Sequence, residues 1–215
     1  MKIYLNDFSN APLRVRIAIA LKKIVVEEVH VDLERDDWPE GFAEFSTINP
    51  QRMLPVLVDG PLVIHQSLAI IEYLEEMKPL PRLLPADAAG RARVRSLALM
   101  IACDGQPLLN LRVRKYLAKE FTPPGADRWF WHWMTSSLGE FEATLARDGV
   151  TGRYAHGDSP TLADVCLVPQ MLMAQRFEIP VRPYRRLMRI FDSCMALPEF
   201  AAATPQPEKA GTVPV

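Results

Sequence analysis

The chain has 215 residues, 49% of them apolar and 24% charged, with a formal net charge of −1. That is an ordinary globular balance, enough for one large domain or two small ones, and it gives nucleic acid or an anionic membrane no bulk attraction. No run reaches the roughly 18 apolar residues of a membrane span, and the strand-like start argues against a signal peptide. The three cysteines, Cys103, Cys166 and Cys194, have no metal-ligand spacing and suit a reducing, cytoplasmic setting. All three fall in the helical part of the chain, away from the N-terminal loop, and are expected to be small buried apolar residues.

Residues 1–80 alternate between strand and helix. Lys2–Leu5 reads as a strand and Leu13–Lys23 as a helix with apolar positions at Val15, Ile17, Ala18 and Leu21. Residues 25–31 alternate as a half-buried strand does, and residues 53–57 and 62–64 give two more strands around the Asp59-Gly60 turn. A helix over 66–77 completes a β-α-β-α-β-β-α order, which predicts a parallel pair extended by an antiparallel hairpin, the thioredoxin-like pattern. Pro55 stands between apolar strands, where it cannot donate a ladder hydrogen bond; a bend with a cis peptide is expected there. That bend leaves the backbone of Leu54 as an open edge, and Gln66-Ser67 opens the following helix. A strand edge can hold a short peptide, and a helix N-terminus can hold its carboxylate.

Pro79, Pro81 and Pro85 break the chain and mark a linker. From Ala88 onward the pattern is helical: 91–120, 128–145, 161–175 and 185–196. Thr161, with Asp164 three residues on, is a capping box. Trp129, Trp131 and Trp133 read as packing residues, and the segment from Thr204 onward reads as a frayed end. Two domains are expected, 1–80 and 88–205.

Several segments carry a resemblance. Leu13-Arg14-Val15-Arg16-Ile17-Ala18, Asn49-Pro50-Gln51, Leu54-Pro55, Gln66-Ser67-Leu68-Ala69-Ile70-Ile71-Glu72-Tyr73-Leu74, Cys103-Asp104, Thr161-Leu162-Ala163-Asp164 and Leu167-Val168-Pro169-Gln170 together resemble the glutathione transferase superfamily. The Arg-Val-Arg, Asn-Pro-Gln and Leu-Val-Pro-Gln pieces point to its zeta class, which includes maleylacetoacetate and maleylpyruvate isomerases. The resemblance implies an α/β thioredoxin-like N-terminal domain followed by an all-α C-terminal domain. It also implies a cytoplasmic homodimer that uses glutathione to isomerise maleylacetoacetate- or maleylpyruvate-type substrates in aromatic catabolism.

On that resemblance Leu54 and Pro55 hold the cysteinyl part of glutathione, Gln66 and Ser67 grip the γ-glutamyl end, and Gln51 holds the glycyl end. Asp104 reaches a γ-glutamyl amine across the dimer. Ser9 activates the sulfur, with Asn10 as the other candidate. Arg112 and Arg176 take the substrate's carboxylates, while Phe8 and Trp38 wall the site. The loop departs from the zeta pattern, however: Asn10, Ala11 and Leu13 stand where a serine, a cysteine and a tryptophan are usual, and Gln106 replaces a histidine. Conjugation of another electrophile, or a non-catalytic interaction role, therefore stays open beside isomerisation.

Overall fold

A computed structural model describes residues 1–31, 45, 47–147 and 149–204. Trp38 and the chain end beyond Thr204 lie outside the described residues. The chain divides into two compact units, residues 1–81 with 199–204, and residues 82–198.

The first unit holds β1 (Lys2–Leu5), α1 (Asn10–Lys22), β2 (Glu27–His30), β3 (Val56–Asp59), β4 (Leu62–His65) and α2 (Ser67–Met77). The second helix expected between β2 and β3 falls mostly outside the described residues, although Phe45, Thr47 and Ile48 are helical. The sheet runs β2-β1-β3-β4. β1 and β2 are parallel, Lys2 opposite Glu27, while β1–β3 and β3–β4 are antiparallel. The hairpin turns at Gly60, whose φ of 57° a side chain would resist. β3 begins at Val56, later than the apolar run from Met53 suggested, because residues 51–55 form the turn and bend instead.

Helix α1 begins at Asn10, three residues before the apolar pattern does, with Pro12 accommodated in its first turn. It packs on α2. Ile3, Leu5, Val15, Ile17, Leu57, Ile70 and Leu74 form the buried centre. Each such side chain contributes about 1.5–3 kcal/mol of burial, so the sheet and both helices are fixed as one body.

The second unit contains α3 (Ala88–Leu99), α4 (Leu111–Glu120), α5 (Pro123–Ala146), α6 (Leu162–Arg176) and α7 (Arg185–Met195). α8 (Pro198–Ala203) follows in the chain; from Glu199 onward it belongs to the first unit, and its Phe200 is buried. The single helix expected over 91–120 is in fact broken. After Leu99 the chain widens into a π turn, Met100–Gly105, then tightens into a 3₁₀ turn, Gln106–Leu109. Pro107 cannot donate to a helical ladder, and Asn110 restarts the helix by accepting the Arg112 N–H at 3.0 Å. Gly105 permits this path, since a Cβ there would collide with Ser137 of α5. The capping box at Thr161 forms as the sequence indicates. Among the described residues no helix is long and apolar enough to cross a membrane.

Candidate active site

The peptide bond between Leu54 and Pro55 is cis. Among the described residues no backbone group pairs with the N–H or C=O of Leu54, because the β1–β3 ladder starts only at Val56. Asn49 shapes the preceding loop. It is 2% exposed; its Nδ2 donates to the Met53 carbonyl at 2.6 Å and its Oδ1 accepts the Gln51 N–H at 3.1 Å. The His65 ring nitrogen Nε2 lies 3.1 Å from the Ile48 carbonyl, which latches this loop to the end of β4. Gln51 itself is exposed.

One residue past His65, Gln66 is the N-cap of α2 at φ 72°, a conformation side chains other than glycine rarely adopt. Ser67 follows as the first helical residue and is buried. The free N–H groups and positive end of α2 therefore open beside a serine hydroxyl, the arrangement that suits a carboxylate. Behind it, Arg14 of α1 donates from Nη1 to Ser67 Oγ at 3.4 Å.

The loop after β1 is held from both sides. Asn6 accepts the Phe8 N–H at 2.9 Å and donates to the Val31 carbonyl at 3.3 Å. Asp7 pairs with Arg16 at 3.1 Å, and Arg16 reaches Glu28 at 3.5 Å. Ser9 is the N-cap of α1, partly exposed, with its hydroxyl making no capping bond. Asn10, the alternative donor, is 5% exposed and turned into the fold. Phe8 is half-buried.

In the second unit, Asp104 is exposed on the π turn, Arg112 on the first turn of α4 and Arg176 on the last turn of α6. Cys103 is exposed, unlike the buried Cys166 and Cys194, because the widened turn swings it outward. Arg114, two residues past Arg112, is buried. Its guanidinium lies 4.7 Å from the Phe130 ring and 4.6 Å from the Phe177 ring, with Asp127 at 3.7 Å. This cation–π sandwich holds α4 against the end of α6, next to Arg176 in the chain. Burial lowers the Arg114 pKa, and Asp127 opposes that shift.

Sequence reasoning passed over Asn49 as a latch and over Arg14 and Arg114 as buried cations. The Asn-Pro dipeptide was a usable turn signal for the first. Neither arginine carries a local signal of burial, because an arginine on a helix reads as solvated by default.

The N-terminal domain model of glutathione S-transferase matches residues 8–77, and its C-terminal domain model matches residues 134–198. The chain is 42% identical over 200 residues to a probable maleylacetoacetate isomerase of Vibrio cholerae, covering 92% of each. This chain is a zeta-class glutathione transferase. A holo maleylpyruvate isomerase, described as a bacterial zeta-class enzyme, superposes with a TM-score of 0.91 at 41% identity, over 98% of this chain and 100% of that one. A maleylacetoacetate isomerase from Methylobacterium extorquens with bound malonate and glutathione superposes equally well, TM-score 0.91 at 37% identity, with the same coverage. In this transferase the backbone of Leu54, unpaired among the described residues, and the helix end at Ser67 fit such a cofactor: one matches a peptide backbone, the other a carboxylate.

Proposed function

We propose that the protein is a glutathione-dependent cis–trans isomerase of maleylacetoacetate- or maleylpyruvate-type dicarboxylates, working in the cytoplasm in aromatic amino acid or aromatic compound catabolism. The observation that carries this reading is the likeness, over 98% of the chain, to a zeta-class maleylpyruvate isomerase. Bound glutathione supplies a thiolate that adds to the maleyl double bond, permits rotation and leaves again, so the nucleophile is the cofactor's.

The chain's own residues bind, orient and tune. Leu54, beside Pro55, pairs with the cysteinyl backbone, Gln66 and Ser67 take the γ-glutamyl amine and carboxylate, and Gln51 takes the glycyl end. Ser9 donates its hydroxyl to the sulfur, aided by the positive end of α1. Asn10 is the alternative donor. A thiol titrates near 8.5, so lowering it by one or two makes the thiolate dominant at neutral pH. Arg112 and Arg176 match the carboxylates of a dianion, since a guanidinium fork suits that group. Phe8 forms an apolar wall. The working form is a homodimer in which Asp104 reaches the γ-glutamyl amine bound by the partner subunit.

A second reading, conjugation of another electrophile, is favoured by one feature. Ala11 offers neither thiol nor hydroxyl where the zeta loop has a cysteine. Titrating glutathione while recording thiolate absorbance, with parallel assays on maleylacetoacetate and maleylpyruvate, decides between them. Thiolate with turnover supports the isomerase, and Ser9→Ala then lowers turnover roughly tenfold to a hundredfold. Thiolate without turnover supports the conjugating enzyme. Glutathione binding without thiolate would overturn both.

A further inference from the structure

Arg14 sits in the second turn of α1 and is 1% exposed, and Ser67 is 6% exposed. The two come from helices far apart in sequence, yet Arg14 Nη1 lies 3.4 Å from Ser67 Oγ. A guanidinium has only donors, so this contact occupies a lone pair of the serine oxygen. The serine O–H is thereby left as a donor toward a ligand. The buried cation also stands directly behind the N-terminus of α2, whose free N–H groups carry positive charge of their own. Two positive sources thus converge on one hydroxyl, in a medium where charge is weakly screened.

We infer that Arg14 is the positioning residue of the γ-glutamyl carboxylate subsite: it fixes Ser67 as a donor and makes the pocket selective for an anion. The inference rests on the reading of Ser67 as a glutathione contact. Arg14 does not touch the ligand; it acts through Ser67 and through its charge. The contact is long for an N–H···O bond, and an acceptor on the far side of Ser67 polarises the hydroxyl and tightens it.

The test uses glutathione and its analogue lacking the γ-glutamyl α-carboxylate, γ-aminobutyryl-cysteinylglycine, titrated calorimetrically into wild type and Arg14→Gln. Wild type is expected to prefer glutathione by about tenfold or more, and Arg14→Gln to lose most of that preference while binding the analogue as before. A merely structural role would weaken both ligands in parallel, and that result overturns the assignment, as does an unchanged ratio. Failure of wild type to bind glutathione at all would instead remove the underlying reading, and the inference with it. If Arg14→Gln does not fold, the wild-type guanidinium resonance, assigned by its absence from the Arg14→Lys spectrum, is followed instead. It is expected to shift with glutathione and stay in place with the analogue; equal shifts overturn the proposal.

Discussion

At Gln66 the backbone is held at φ 72°, directly ahead of the serine that opens α2. Such a conformation costs a residue with a side chain of order 1–3 kcal/mol and persists where the surroundings over-determine it. Gln66→Gly should therefore raise stability by about 1 kcal/mol in urea denaturation. It should also weaken glutathione binding, because the γ-glutamyl contact is lost; a variant that gains stability and keeps its affinity would show the side chain idle. Asp164 gives a second prediction. It is fully buried and accepts the Ala155 N–H, the Thr161 N–H and the Thr161 hydroxyl, each at 2.8 Å. Burial outweighs those bonds and raises its pKa from 3.8 to about 6. Between about pH 4 and pH 6 the folded state then holds this proton more firmly than the unfolded chain does. Its contribution to stability therefore falls as pH rises through that window and recovers as pH falls. Relative to Asp164→Asn, which cannot titrate, wild type should gain about 2 kcal/mol on going from pH 7 to pH 4. A pH-independent difference between the two proteins would contradict the shift.

Among the elements, α1 is tied to the end of α2 by a single buried lysine. Lys22 is 0% exposed; its Nζ lies 2.5 Å from Glu75 Oε2 and donates to the carbonyls of Lys78 at 2.7 Å and Pro81 at 3.1 Å. Lys22→Met strands a mostly buried carboxylate and should cost about 3–5 kcal/mol, read from the urea midpoint. Adding Glu75→Gln should recover part of that loss, since the two groups act as one unit. This tie was not legible beforehand, because α1 is enclosed on nearly every side and the apolar spacing at Val15, Ile17 and Leu21 gives no cue that Arg14 and Lys22 are buried too. The sheet was easier to read, for strand alternation and the Asp59-Gly60 turn depend on neighbours only. Lys2–Leu5 matches β1 residue for residue. At Thr161 the cap was legible for the same local reason. The break at Met100–Asn110 was not, because the close approach of Gly105 to Ser137 is a tertiary fact. In the candidate site the cis bond at Pro55 and the helix start at Ser67 were local signals, whereas the latch of His65, at the end of β4, on the Ile48 carbonyl joins segments that sequence alone does not bring together.

For the whole molecule the proposed homodimer has the largest consequence. Leu62 and Val63 on the edge strand β4, and Tyr116, Phe121 and Trp131 in the second unit, leave large apolar side chains exposed. Apolar surface of that kind is what an interface between copies would cover. Sedimentation should accordingly give twice the 24.3 kDa of one chain. A sharper experiment asks whether the glutathione site is shared between subunits. Ser67→Ala homodimers lack the hydroxyl at both sites, and Asp104→Ala homodimers lack the carboxylate at both. If Asp104 serves the partner subunit, a two-fold heterodimer of these variants has one site carrying both lesions and one carrying neither. Random co-expression makes about half the dimers mixed, so about a quarter of all sites should bind glutathione as wild type does. If Asp104 instead serves its own subunit, every site carries a single lesion and no wild-type sites appear. Calorimetric titration of the mixture separates these outcomes directly, since a tight fraction in an otherwise weak isotherm arises only from a shared site.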